Sequence, residues 1–261
     1  MLGIIGYGRM GSAIAKNALK YYRKIFVRDL KRLRNLPKGV KQVNLYDLLT
    51  NSEIVLLAVK PQDMKDLLFD IDEILGYAER KKKLFITIAA GLPIKFYENL
   101  LGKDIAIVRV MPNICVKVDY SSGAYITNKN VKKKHLKIIE NLFGKNLIRI
   151  RDERLIDVVT AIAASAPAFI SAMMKNFVDI GKRYGLKEKD ARKLVINTFL
   201  GTSLLLKKEG ISFDELIRSV ASPKGTTEAG LEIWRKNKLD LLIKKVLKKT
   251  IERSRKLSSK L

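Results

Sequence analysis

The stretch Leu2-Gly3-Ile4-Ile5-Gly6-Tyr7-Gly8-Arg9-Met10-Gly11-Ser12-Ala13-Ile14-Ala15 decides the fold. A short apolar run passes into G-x-G-x-x-G and then into a sequence able to open a helix. That context, strand before and helix after, is what the glycine motif needs in order to mean a dinucleotide turn. Gly6 permits the tight turn, Gly8 lets backbone approach a pyrophosphate, and Gly11 lets helix and strand pack closely. The helix start offers unpaired N–H groups and the positive end of its dipole to phosphates. Without a ligand the same residues would simply make a compact strand–helix turn.

Working outward, apolar runs at Leu2–Ile5, Lys24–Val27, Ile54–Val59, Leu84–Ile88, Ile105–Val110 and Ser122–Thr127 read as strands. Helical patterns fall between most of them, at Ser12–Tyr21, Leu45–Leu49 and Met64–Ile74. This alternation predicts a mainly parallel sheet with helices on both faces and ligands beyond the strands' C-terminal ends. After about Ile150 the strand signals stop. Asp152 caps a helix running through Val159 into Ala161–Ala168, and further helices follow at Glu188–Lys208, Phe213–Val220, Thr227–Trp234 and Leu239–Leu257. Ser212 with Glu215 has the form of a capping box. The expected organisation is an α/β chain: a Rossmann-type domain over 1–151 and an all-α domain over 152–261. The lysine-rich end, Lys256–Leu261, is expected to fray.

Composition excludes several chemistries. Cys115 is the only cysteine, so neither an intrachain disulfide nor a cysteine–zinc cluster can form. His135 is the only histidine, and with Lys132–Lys134 before it reads as part of a solvated helix face. A buried histidine acid–base is therefore not expected, nor is a metal site. No uninterrupted apolar run spans a bilayer, and Gly3 and Gly6 break any signal-peptide pattern, so a soluble cytoplasmic protein is expected. The net charge of +26 is extreme but spread over both halves, so no nucleic-acid partner is expected. It would draw anionic ligands towards the surface.

Other strand ends carry candidate groups. Val27-Arg28-Asp29 combines an arginine suited to a 2′-phosphate with an acid suited to a ribose 2′-hydroxyl. Lys31 and Arg32 add positive charge, which favours NADPH while leaving NADH open. Ala58-Val59-Lys60-Pro61, Thr87-Ile88-Ala89-Ala90-Gly91 and Arg109-Val110-Met111-Pro112-Asn113 end three more strands. Asn113 either hydrogen-bonds a cofactor or forms a turn. Further on, Pro167 sits inside an apolar helical run and should break it beside Ser165. Ser222-Pro223-Lys224-Gly225-Thr226-Thr227 precedes a helix, where hydroxyls and free N–H groups suit a carboxylate, or where Thr226 simply caps. The last helix has an apolar stripe through Leu239, Leu242, Ile243, Val246, Leu247 and Ile251, which packs on its own domain or on a second subunit.

In order and spacing, these segments together resemble the 1-pyrroline-5-carboxylate reductase family nearly end to end. The resemblance implies an N-terminal Rossmann domain, a helical domain that dimerises, and in several members dimers assembled into decamers. It implies hydride transfer from NADPH or NADH to the C=N carbon of a cyclic imine, giving L-proline. Gly6, Tyr7, Gly8, Arg9, Met10, Arg28, Ala58, Val59, Lys60, Pro61, Ala90 and Asn113 would then serve the cofactor. Ser222, Lys224, Gly225 and Thr226 would meet the substrate carboxylate, and Thr227 the ring nitrogen. Ser165 would lie in a closing loop, and Glu209 would match a glutamate supplied across the dimer.

The chain departs from the family in two loops. Alanines flank Ser165 where Ser and Gly are usual, and Lys224 stands where Gly is usual. Two rivals remain at this level. One is a related imine or 3-hydroxyacid reductase, although the adjacent Lys175 and Asn176 do not fit the helical spacing the latter uses. The other is a catalytically inactive, basic, nucleic-acid-binding Rossmann scaffold.

Overall fold

The computed structural model describes residues 1–258; residues 259–261, the end of the stretch expected to fray, lie outside the described residues. In chain order the elements are β1 (Leu2–Ile5), α1 (Arg9–Ala18), β2 (Ile25–Arg28), β3 (Val40–Gln42), α2 (Leu45–Asn51), β4 (Ile54–Leu57) and α3 (Met64–Ile74). Next come α4 (Tyr77–Lys81), β5 (Leu84–Thr87), α5 (Ile94–Leu101), β6 (Ala106–Met111), β7 (Gly123–Thr127), α6 (Lys133–Phe143) and β8 (Leu147–Arg149). The remainder is helical: α7 (Ile156–Val159), α8 (Ala166–Arg183), α9 (Glu188–Glu209), α10 (Phe213–Val220), α11 (Thr226–Lys236) and α12 (Leu239–Ser258).

The strands form one eight-stranded sheet in the order β3-β2-β1-β4-β5-β6-β7-β8. All neighbours are parallel except β6 and β7. Strand order reverses between β1 and β4, and such a reversal opens a crevice at the strands' C-terminal ends. The central strands β1, β4, β5 and β6 are buried along their whole length, as a sheet covered by helices on both faces requires. Two apolar clusters, one per face, flank the sheet. One gathers Ile4, Ile14, Val27, Ile86 and Phe143, and the other Ile5, Leu57, Leu68, Phe85 and Tyr97.

The compact units are residues 1–167 with 249–261, and residues 168–248. In the first unit, α12 returns to supply Ser254, whose Oγ donates to Asp157 Oδ1 at 2.6 Å. In the second, Gly181 of α8 meets Ala191 of α9, where an added Cβ would lie 3.2 Å from the alanine Cβ. Phe177 and Phe199 stack edge to face across the same pair of helices at 5.7 Å. Helices α8, α10 and α11 bury no residue, and α9 buries Ala191 alone. Phe177, Leu200 and Leu242 stand more than half exposed. Apolar surface this extensive on one chain marks a contact surface.

The helical stretch 153–183 contains an 18-residue window of mean hydropathy 1.8, of which 17% is buried, long and apolar enough to cross a membrane by length and composition alone. The stretch is interrupted in sequence by Ser165 and Pro167, so its apolar character shows only when averaged along the helix.

Candidate active site

The glycine turn joins β1 to α1 as its sequence demands. Gly6 takes φ +95°, and a Cβ there would lie 2.7 Å from the Ala58 backbone. A Cβ on Gly11 would lie 2.0 Å from the Gly6 carbonyl oxygen, so α1 and the turn touch at that point. Gly8 differs, because a Cβ there would meet nothing within 4 Å. It is the N-cap of α1 and offers no side-chain cap to the helix's first N–H groups. Helix α1 thus begins at Arg9, earlier than the expected Ser12.

A cleft of about 230 Å³ opens beside this turn, lined by Gly6, Gly8, Arg28, Ala58, Val59 and Lys60, with Asp29, Leu30 and Asp63. The open face at Gly8 and the uncapped helix start fit a dinucleotide pyrophosphate. Asp63 was not anticipated; it follows Pro61, which begins a single 3₁₀ turn.

The remaining candidates for the cofactor stand at the margin. Tyr7 and Met10 pack partly buried against the core, Arg9 is exposed, and Pro61 and Ala90 sit at strand-end turns. Asn113 is 6% exposed. Its Oδ1 accepts from the N–H groups of Cys115 at 3.1 Å and Ser122 at 3.3 Å, and its Nδ2 donates to the Ala163 carbonyl at 3.2 Å. Turn-making therefore occupies most of that amide, leaving one amide hydrogen.

Asp29 resolves part of the mixed signal after β2. Its Oδ2 accepts the Tyr7 N–H at 2.7 Å and its Oδ1 the Lys31 N–H at 3.0 Å. The carboxylate braces the glycine turn, and Arg28 and Asp29 both line the cleft.

Beneath the end of β5, the Thr87 and Tyr97 hydroxyls share a hydrogen at 2.6 Å, and burial pushes the Tyr97 hydroxyl well above its usual range. Nearby, buried Arg109 donates through Nη1 to Glu153 Oε1 at 2.8 Å, and the same oxygen accepts the Ile94 N–H at 2.9 Å.

Ser165 ends a π-helical turn over 160–164, its N–H donating to the Thr160 carbonyl at 2.8 Å. The expected break therefore takes the form of a π turn. Pro167 is the second residue of α8, in the first turn, where its missing N–H leaves no bond unmade. Single π turns of this kind gather at functional sites.

In the second unit, Ser222–Thr227 forms a tight turn into α11. Gly225 donates to the Ser222 carbonyl at 3.0 Å, and a Cβ on Gly225 would lie 2.5 Å from Ser222 Oγ. Gly225, not Thr226, is the N-cap, and it carries no side-chain cap. The alternative in which Thr226 caps is thus corrected: Thr226 is already helical, so its hydroxyl lies beyond the capping position. Ser222, Lys224 and Thr226 are exposed and Thr227 half-buried. Lys224 adopts φ +58°, the left-handed region that explains why glycine is usual at that place. Its N–H donates to Glu228 Oε2 at 2.8 Å. Glu209 is the exposed last residue of α9, at the negative end of that helix's dipole.

His135 lies elsewhere, at the start of α6, half-buried rather than on a solvated face, with Nδ1 accepting the Lys132 N–H at 3.1 Å. Among the described residues no group of His, Cys, Asp and Glu could hold a metal ion.

Residues 153–257 match the family model for pyrroline-5-carboxylate reductase dimerisation, and residues 1–91 match that for NADP oxidoreductase, coenzyme F420-dependent. The pyrroline-5-carboxylate reductase of Aquifex aeolicus is 33% identical over 98% of this chain and 97% of its own. That of Methanosarcina acetivorans is 29% identical over 99% and 98%. A crystal structure of Plasmodium falciparum pyrroline carboxylate reductase with NADP bound superposes with a TM-score of 0.87 at 27% identity, covering 98% of this chain and 97% of that one. The glycine turn, the strand order and the helical second half thus agree with full-length relatives, and the chain belongs to the pyrroline-5-carboxylate reductase family.

Proposed function

We infer that this chain reduces 1-pyrroline-5-carboxylate to L-proline, the last step of proline synthesis, with NADPH as the preferred donor and NADH as the alternative. The observation that carries the assignment of roles is the uncapped start of α11 behind Ser222–Thr227. Its first N–H groups have no intrahelical partner, and the dipole favours an anion there. Ser222, Gly225 and Thr226 take the substrate carboxylate, Lys224 adds a charge beside it, and Thr227 hydrogen-bonds the ring nitrogen.

The dinucleotide, when bound along Gly6–Met10, Arg28, Ala58–Pro61, Ala90 and Asn113, supplies the hydride. The imine is held in its protonated form, so hydride addition at carbon leaves a neutral secondary amine and no strong acid is required. The protein's work is alignment and exclusion of water. Ser165 shields the reacting groups, and Glu209 of the partner subunit completes the site. A chain whose single histidine lies away from the cofactor cleft suits this chemistry.

The family's dimerisation region coincides with the exposed apolar helices, and the protein forms an oligomer. We take the homodimer as its unit, with the apolar side of 153–183 covered by a second copy in the cytoplasm; sedimentation also reads any decamer built from such dimers. The related imine and hydroxyacid reductases, and an inactive nucleic-acid-binding scaffold, have no comparable support.

The decisive assay follows oxidation of NADPH and NADH with pyrroline-5-carboxylate. Thr227→Ala should lower kcat by roughly one to two orders of magnitude, the worth of one hydrogen bond to a charged group. No turnover by wild type with either donor would sink the reading. Arg28→Ala should lower the NADPH-to-NADH preference about tenfold, as loss of a paired phosphate contact does; an unchanged ratio removes Arg28 from that role.

Lys224 separates charge from strain. Lys224→Gly should raise stability by about 1 kcal/mol, by relieving a left-handed side-chain residue. Both Lys224→Gly and Lys224→Ala should raise KM for the imine several-fold. Equal KM values in all three proteins would show that the charge does not reach the substrate.

A further inference from the structure

A second cleft lies at the other end of the sheet, where β5 and β6 begin. It holds about 650 Å³. Its walls carry lysines from three segments: Lys81–Lys83 ahead of β5, Lys129 after β7, and Lys132 and Lys134 at the start of α6. His135 and a single carboxylate, Asp104, complete the ionisable set. The cofactor cleft opens past the C-terminal ends of β1 and β4, so the two are distinct.

Local carboxylates do not balance these charges. Asp104 sits 3.6 Å from Lys81 and also accepts the Tyr77 hydroxyl at 2.9 Å. Lys82 pairs with Glu79 at 2.6 Å. Lys83 is 7% exposed and donates to the Ser52 carbonyl at 2.8 Å, a neutral acceptor. Among the described residues, no ion pair is formed by Lys129, Lys132 or Lys134, all of them exposed. Helix α6 has no acidic residue in its first turn and begins with lysines, so its positive dipole end adds to the same field. Convergent like charges destabilise a fold, and a concave surface focuses their field on a counter-ion.

We propose that this cleft binds a multiply charged phosphate anion. Phosphate chemistry fits because ammonium groups act as point-charge donors to phosphate oxygens. A compact anion fits better than a nucleic-acid backbone, because the lysines line one concavity that Asp104 interrupts.

His135 provides the readout, since it is the chain's only histidine and its imidazole resonances need no assignment. Burial, then Lys134 and Lys132, hold its pKa below the ordinary value. A bound polyanion opposes those lysines and favours the imidazolium. The experiment titrates full-length protein with tripolyphosphate in saturating NADP⁺ while following His135 by NMR across pH. The apparent pKa should move up by about one pH unit. Replacing Lys132 and Lys134 together by alanine should weaken binding about tenfold with an unchanged melting temperature or a higher one, because repulsion is relieved.

Three results overturn the proposal. One is an unmoved His135 at tripolyphosphate concentrations that saturate any binding. Another is tripolyphosphate binding that NADP⁺ abolishes, which would place the anion in the cofactor cleft. The last is a duplex DNA oligonucleotide shifting His135 at lower phosphate concentration than tripolyphosphate, which would assign the cleft to nucleic acid.

Discussion

Gly8→Ala should melt with wild type yet bind the dinucleotide about tenfold or more weakly, while Gly11→Ala should lose the fold of the turn itself. The two glycines belong to one motif, but their surroundings differ. The space beside Gly8 is empty to 4 Å, so a methyl group there costs the ligand-free protein little. The same methyl would occupy the face along which a pyrophosphate approaches. At Gly11 the methyl would sit 2.0 Å from the Gly6 carbonyl oxygen, a backbone atom that cannot swing away. Moving α1 off the turn to make room costs about 1–3 kcal/mol in overpacking. Gly6→Ala adds the strain of φ +95° to a 2.7 Å clash with Ala58. Thermal melts together with KM for NADPH check the set. A destabilised Gly8→Ala protein with unchanged KM would reverse the assignment.

Glu153→Ala should be the most destabilising change outside the glycine turn. Arg109 is 4% exposed, and its Nε has no hydrogen-bond partner. Its charge is answered by Glu153, whose Oε1 also accepts the Ile94 N–H at the start of α5. Removing the carboxylate strands a buried cation and a backbone donor together, a loss of about 3 kcal/mol, at the lower end for a broken buried pair because the Glu153 side chain is 28% exposed. Glu153→Gln keeps an acceptor and should cost less. The double change Arg109→Met with Glu153→Gln should recover most of the loss, because no charge is then left buried. Urea midpoints measure all three, and an unchanged midpoint for Glu153→Ala would show that the pair contributes nothing.

The long elements were legible because each repeats one period for several residues. Helices α3, α9, α10 and α12 fall within a residue or two of their expected bounds, as does every strand of the buried sheet centre. Strands β3 and β8 were missed. Each has three residues at the outer edges of the sheet, Ile148 is 60% exposed, and no alternation can show in so short a run. Asp29 and Asn113 show a different limit. Both residue types suit a cofactor contact, and both side chains also bond backbone groups close in space. Only folding brings Tyr7 to Asp29 and Ala163 to Asn113.

Local chemistry in the chain was therefore enough to determine that a strand–turn–helix cradle opens the protein, that helices replace strands after Ile150, and that a helix start follows Ser222. These properties depend on dihedral preference, periodicity and capping, which act over a few neighbouring residues. Tertiary structure alone decided which glycine is open and which is crowded, which amide is already bonded, and where six lysines line one cleft. Those properties depend on distances between residues far apart in sequence, and such distances exist only once the sheet has closed.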